Sequence, residues 1–519
     1  MVIRYLQALF VFLLIGMCVH AQHQNVMISN SRSPEEPSIY INPKNTSEIV
    51  AGSNISNVLY SHDGGYTWSV DVLESQAYGV WGDPVIIADT AGDFYFFHLS
   101  NPPNGNWIDR IVCQKSTDSG VSWNDGTYMG LNGAKAQDKH WAVVDQNTNA
   151  IYVTWTQFDV YGSSNPDDKS DIMFSKSYDG GMTWSDAIKI NEVSGDCIDD
   201  DNTTEGAVPA VGPNGEIYVA WAGPEGLVFD RSTDEGETWL DEDIVIGEFP
   251  GGWAIDIPGI SRCNGLPITL CDLSGGPNHG TIYVNWTDQR NGEDDTDVWL
   301  AKSVDGGFSW SEPIRVNDDG PGKQQFFTWM DIDQTTGDLW FVFYDRRAYD
   351  DNRTDVYMAR SQDGGSTFSN FKISESPFDP WSSVFFGDYN NVSAHNGVVR
   401  PIWTRLEGGS LSVWTAIIDV NLVGVDIAEA IPFELEQNFP NPFTQTTWFK
   451  YKLRRPETIS LRVYDITNRP VATLINNREV NAGKHVTHFE PGEYGLPAGI
   501  YYFALETKTQ VIRKKMIYQ

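Results

Sequence analysis

A chain of 519 residues is longer than one ordinary core serves, so two folded units or a repeat array are expected. Its 40% hydrophobic and 20% charged residues are those of a globular chain, and 13% aromatics with 19 Trp and 47 Gly favour short strands and tight turns. A formal net charge of -35 argues against nucleic-acid binding through a basic surface.

The first element is a secretory signal over residues 1–21. Arg4 supplies the positive end, Leu9 to Met17 an apolar run too short to span a bilayer, and Val19-His20-Ala21 a cleavage site that leaves Gln22 first. Met17 stands before Cys18 where a lipobox needs Gly or Ala, so a lipoprotein anchor is not expected. No later stretch is long and apolar enough for a transmembrane helix, so an exported, non-membrane-spanning protein is expected. Of the four remaining cysteines, Cys113 lies in a strand-like run and is expected as a buried thiol. Cys197, Cys263 and Cys271 lie in or beside loops, so one disulfide among them is expected rather than two.

One eight-residue pattern then recurs six times, from Ser61-His-Asp63-Gly-Gly65-Tyr-Thr-Trp68 to Ser361-Gln-Asp363-Gly-Gly365-Ser-Thr-Phe368. Its aspartates are Asp63, Asp118, Asp179, Asp234, Asp305 and Asp363, spaced by 55, 61, 55, 71 and 58 residues. Such self-similarity marks a solenoid or propeller. A strand precedes each box and a second follows, so the box is a hairpin: its Asp accepts hydrogen bonds from turn amides and its Gly supplies positive φ. The boxes are expected to be structural. Two further strands lie upstream of each, as in His140 to Val144 with Ile151 to Trp155, giving four-stranded units.

Counting boxes gives six blades, and counting strand units gives seven, because Val384 to Ile418 adds three strands without a box. Gln24 to Ser29 resembles the fourth strands of other units and is expected to complete this last one, since closure removes exposed sheet edges. The predicted fold is all-β: a seven-bladed propeller over 22–423, with six blades as the alternative, a linker at 424–432, and a small Ig-like β-sandwich over 433–519. From Phe433 on, 12 Lys+Arg stand against 8 Asp+Glu, a net +4 beside -39 for the rest, which supports that boundary.

Alternating chain direction sorts the loops onto two faces. The boxes share one. The loops that enter each unit, and those joining its second and third strands, share the other and carry most ionisable residues. There, Asp83, Asp138 and Glu205 are candidate acid/base carboxyls. His98 and His140 are the candidate imidazoles, able to remove a proton in an elimination. Arg290, Arg346, Arg347 and Arg405, with Asp388, are candidate substrate-binding residues, because guanidinium groups bind carboxylate or sulfate bidentately. No cofactor is firmly implied. The acidic loops Asp196 to Asp201 and Glu293 to Asp297 offer oxygen ligands for a structural Ca²⁺, although their residue order is not that of an EF-hand.

The six boxes resemble the Asp-box (BNR) repeats of sialidases and related propellers over residues 35 to 420. The resemblance implies the sialidase-like fold and a glycan partner, not sialidase activity itself. Sialidases carry an Arg-Ile-Pro motif whose Arg grips the substrate carboxylate. Here the run is Glu35-Glu36-Pro37, and Glu35 in the Arg position would repel that carboxylate. Residues 433–519 resemble the type A sorting domain of the Bacteroidota type IX secretion system, through Leu435-Glu-Gln-Asn-Phe-Pro-Asn-Pro-Phe443, Leu461-Arg-Val-Tyr-Asp465, Leu496-Pro-Ala-Gly-Ile-Tyr501 and Arg513-Lys-Lys515. That resemblance implies the secretion machinery as a partner and a secreted or surface-attached location. The resulting expectation is a propeller that binds or processes an extracellular, anionic glycan as a hydrolase, with a non-catalytic binding or adhesion module and a polysaccharide lyase as alternatives.

Overall fold

The computed structural model describes residues 23–421, 423, 433–453, 456–465, 469–507 and 511–519. The expected signal segment 1–21, the start at Gln22 and the linker 424–432 lie outside them. The chain divides into two compact units after Val423.

The described residues of the first unit form seven four-stranded antiparallel sheets. The first strands of the sheets, in order, are Ser38–Ile41, Val85–Ala88, Ala136–Val144, Glu205–Val211, Ile268–Cys271, Gln325–Asp333 and Asn391–His395. Each packs against the next, and the last packs against the first, so the ring closes. The seventh sheet takes its fourth strand from the other end of the chain: Gln24–Ser29 pairs antiparallel with Ser410–Ile417. A short two-stranded ribbon, Ala254–Ile255 with Cys263–Asn264, occupies the longest box-to-box interval.

Second strands are the most deeply buried, and Trp155, Trp221, Trp286, Trp340 and Trp403 each come from one of them with under 2% exposure. Each fully buried aromatic of this size contributes about 1.5–3 kcal/mol of transfer energy. Across the middle of the ring Trp141 and Trp329 approach to 4.2 Å between ring centroids, with Tyr389 at 5.2 Å from Trp141, so aromatic side chains fill the axis.

The six boxes are hydrogen-bonded turns. In the third, Ser177 Oγ donates to Asp179 Oδ1 (2.9 Å) and accepts from Gly181 N–H (3.0 Å), while Thr183 donates to Asp179 through N–H (2.9 Å) and hydroxyl (2.6 Å). Asp63, Asp118, Asp234, Asp305 and Asp363 repeat the serine contact at 2.8–2.9 Å. The box aromatics also tie sheets together. Trp184, Trp239 and Trp310 pack edge-on against Phe97, Phe174 and Phe229 of the preceding sheet, at 5.9, 5.2 and 5.1 Å. The close approach needs glycine: a Cβ on Gly236 (φ +83°) would sit 2.3 Å from Phe174.

The expected disulfide is corrected. Cys113, Cys197, Cys263 and Cys271 are all free and buried. Cys263 and Cys271 pack in different apolar clusters from each other and from Cys197, each behaving as a small hydrophobe.

The described residues of the second unit form two sheets, one of Phe433–Leu435, Thr447–Leu453 and Gly483–Phe489, the other of Pro470–Val480, Glu457–Tyr464, Gly499–Glu506 and Val511–Tyr518. Alternation in Thr447–Leu453 buries every second residue. Phe449 of one sheet stacks on Phe503 of the other at 4.2 Å, and both sheets share one core.

Candidate functional site

The candidate residues gather where the first strands begin. In five sheets a residue near the start of the first strand has positive φ: Glu36 (51°) and Asp83 (52°) two places before pairing begins, and Lys139 (48°), Gly206 (77°) and Phe327 (49°) at a break in register two places before pairing resumes. For the four that are not glycine this is a strained conformation, of the kind that clusters at functional sites. Repeated around the ring, it builds a crown of side chains at one end of the axis.

Asp388 is the ionised centre of this crown. It accepts from Lys139 Nζ (2.6 Å) and Arg262 Nε (2.9 Å), and a second Arg262 nitrogen also contacts it. Its backbone carbonyl accepts from Asn264 Nδ2 (2.9 Å), and its N–H donates to Glu36 Oε1 (3.0 Å). Burial works against the Asp388 charge, but Lys139 and Arg262 outweigh it and hold the carboxyl at about 2. Burial likewise opposes the Lys139 charge, and Asp388 and Asp83, the latter 3.6 Å away, hold the amine well above its ordinary range.

Around this ion cluster stand carboxyls with the opposite tendency. Burial, then Asp83, push Asp138 up to about 7 and Glu36 well above the usual carboxylate range. Glu35 rises to about 8, through burial and then Asp83. Glu205 is fully buried, and among the described residues neither of its oxygens has a hydrogen-bond partner; burial, then Asp199, raise it well above normal. Burial thus biases these carboxyls toward the protonated form. Burial lowers His140 to about 4, so its imidazole is neutral beside them.

Asp83, Asp138, Glu205, His140 and Asp388 are thus brought together. His98 is sealed within its sheet, its ring nitrogens 2.8 Å from Leu99 O and 3.0 Å from Gln114 Oε1, and burial holds it at about 4. The rim arginines are engaged by their own loops instead of forming an open anion clamp. Arg290 pairs with Asp288 and stacks over Trp299 at 4.4 Å. Arg347 bridges Asp345 (2.8 Å) and Asp318 (2.5 Å). Buried Arg346 donates to Thr354 Oγ1 and the Pro258 carbonyl, and Arg405 to Ser376 Oγ (2.8 Å), with Glu407 at 3.2 Å. Among the described residues none of the four donates a hydrogen bond to the crown.

The acidic loops are also spoken for. Asp295 accepts from Gly322 N–H, Asp297 from Asn291 and Asn317, Asp196 from Ile198 N–H, and Asp201 from Ala254 N–H. Among the described residues no group of three or more His, Cys, Asp or Glu is placed to hold a metal ion.

Over the crown runs an arc that the sequence did not reveal. Trp81 (39% exposed) and Trp107 (46%) meet edge-on at 6.2 Å, and Trp107 meets Tyr161 at 5.7 Å. Tyr161 hydroxyl donates to Asp199 Oδ2 (2.7 Å), Arg262 Nη1 donates to the same oxygen (3.3 Å), and the Arg262 guanidinium lies over Phe385 at 5.3 Å. The available signal was a Trp in each of two loops of the same predicted sheet. Beneath the arc the cavity lined by Lys139, Trp141, Asn264, Trp329, Asp388 and Tyr389 measures only about 30 Å³, room for water and not for a sugar ring.

No protein-family model matches the chain, and no curated protein does. Solved structures similar to it include a Hadza microbial sialidase, at 15% identity and TM-score 0.43 over 74% of this chain and 75% of that one. The NanB sialidase of Streptococcus pneumoniae matches at 10% identity and TM-score 0.43, over 67% and 69%. An alpha-L-arabinanase of Penicillium chrysogenum matches at 14% identity and TM-score 0.39, over 77% and 98%. These similar structures are sialidases and an arabinanase.

Proposed function

We propose that the protein is an exported, seven-bladed, sialidase-like propeller that binds an extracellular glycan over this crown. In this reading residues 433–519 form an Ig-like sorting domain, read by the type IX secretion machinery and absent from the site. The observation that carries it is the arc of exposed Trp81 and Trp107 with half-buried Tyr161, joined through Asp199 to the Arg262 guanidinium. Indole faces left in water at a rim offer stacking area for the C–H faces of sugars, and the adjoining carboxyl and guanidinium groups serve hydroxyls.

Hydrolysis is the second reading, favoured by Asp138 and Glu205. Burial raises both, Asp138 to about 7 and Glu205 well above the usual carboxylate range, toward the protonated state a general acid needs to protonate a departing glycosidic oxygen. It requires the Lys139–Asp388–Arg262 clasp to part, because the cavity below is too small for a sugar. Elimination has less support, since His98 is enclosed and burial holds both imidazoles at about 4, which makes them weak bases.

Incubation of the full chain with sialosides, pectins, sulfated polysaccharides and uncharged polysaccharides, read by affinity and by mass spectrometry, tests this. Binding to at least one glycan is expected, with Trp107→Ala weakening it roughly tenfold, about the worth of one aromatic contact. Water-added fragments that disappear in Glu205→Gln would establish the hydrolase. Absence of binding to every glycan would overturn the proposal.

A further inference from the structure

We infer a second ligand subsite beside the crown: a cleft between the second and third sheets that takes the outer sugars of an extended, uncharged polysaccharide. This rests on the glycan reading above and names its ligand class.

The cleft has a volume of about 670 Å³, within the range of small-molecule sites and large enough for several sugar rings. It runs between Thr127–Met129, the outer strand of the second sheet, and the third sheet, from Tyr78 and Gln157 to Trp184. Its walls alternate faces and hydrogen-bonding groups. Tyr78 and Tyr128 stand 5.4 Å apart between ring centroids, and the Asn132 and Gln157 amides meet at 3.0 Å beside them. Tyr128, Leu131 and Met182 of the lining are 40%, 43% and 59% exposed.

Two observations join this cleft to the crown and set the charge of its ligand. Trp107 of the arc lies two residues before Asp109, whose carboxylate takes Arg110 Nε (2.7 Å) and Nη2 (3.0 Å). The Arg110 guanidinium in turn lies over Tyr128 (4.8 Å) and Tyr78 (5.8 Å), so stacked groups continue from the exposed tryptophans into the cleft. Among the described residues the cleft lining has a single charged residue, Asp186, and no base. With Arg110 neutralised by Asp109, an anionic chain finds no counter-charge there and is repelled. Of the arginines from which an anionic ligand was expected, Arg290, Arg347 and Arg405 are ion-paired, and Arg346 is buried against Thr354 and the Pro258 carbonyl.

Calorimetric titration of the full chain with linear oligosaccharides of arabinose, xylose or glucose, from disaccharide to hexasaccharide, tests the inference, with oligogalacturonate as the charged control. Affinity for at least one uncharged series is expected to rise with length. Tyr128→Ala is expected to weaken the hexasaccharide roughly five- to tenfold while leaving the disaccharide unchanged. Leu131→Asp, at a second exposed position, is expected to do the same. Affinity independent of length, equal losses for short and long chains, or equally tight binding of oligogalacturonate would overturn the cleft or its ligand class while leaving the crown reading intact. Failure of every glycan, charged or not, to bind would overturn both.

Discussion

Asp388→Asn is expected to destabilise the first unit by about 3–5 kcal/mol, the usual cost of removing one partner from a buried ion pair. Asp388 is 3% exposed and answers two cations, so the variant leaves the buried Lys139 amine and the Arg262 guanidinium without their shared counter-charge. Tryptophan fluorescence during urea unfolding is the measurement, and it isolates the right unit. Of the 19 Trp only Trp448 follows Val423. The partner change separates charge from packing: adding Lys139→Met to Asp388→Asn should recover part of the loss, because removing both members of a buried pair costs less than removing one. A loss below about 0.5 kcal/mol, the range of ordinary surface changes, would show that the cluster is not the electrostatic clasp described here.

The second large effect is a pH dependence. The Asp138 carboxyl titrates at about 7 in the folded protein against an ordinary 3.8, mainly through burial. The folded state therefore holds a proton that the unfolded state has lost between those values. Its contribution to stability is complete below the unfolded pKa and is lost as pH rises through the folded one. Asp138→Asn keeps the acceptor for Lys139 N–H (2.9 Å) and removes the titration. Wild type and variant should run in parallel below about pH 4, and the variant should gain steadily above it, reaching about 2–4 kcal/mol of relative stability by about pH 8. His98 and His140, held at about 4, act in the opposite sense, adding stability as pH rises from about 4 to about 6.5. They are common to both proteins and cancel in the difference. Parallel curves across the whole range would mean that Asp138 is not held as a neutral acid.

Much of the architecture was legible because it repeats. Six copies of one turn, each with a Ser, Asp and Gly whose hydrogen bonds are local, announce their own geometry, and the structure shows the serine-to-aspartate bond in all six. The alternation around them marked the strands. The orphan strand at Gln24–Ser29 followed from a unit lacking its fourth, and it pairs with Ser410–Ile417. The face carrying the ionisable loops followed from chain direction alone, and Asp83, Asp138, Glu205 and Asp388 do meet there.

What those residues do with one another was decided only in three dimensions. An arginine in sequence shows its charge but not its partner. Arg290 and Arg347 sit two residues from aspartates that hold them, whereas Arg262, carried in beside the extra ribbon, reaches Asp388, 126 residues away. Glu205 and Asp138 look like any surface acids until burial makes them neutral. The cysteines' loop positions suggested a bridge, and packing placed them in separate clusters. The Trp81–Trp107–Tyr161 arc joins loops of two sheets, a juxtaposition with no period to betray it. The sequence by itself determined the repeating sheets, their closure and the face on which the ionisable loops gather, because strand alternation and turn chemistry are local and periodic. Tertiary structure alone decided which charges pair, which acids stay protonated and where aromatic surface remains exposed, because burial and through-space electrostatics depend on residues far apart in the chain.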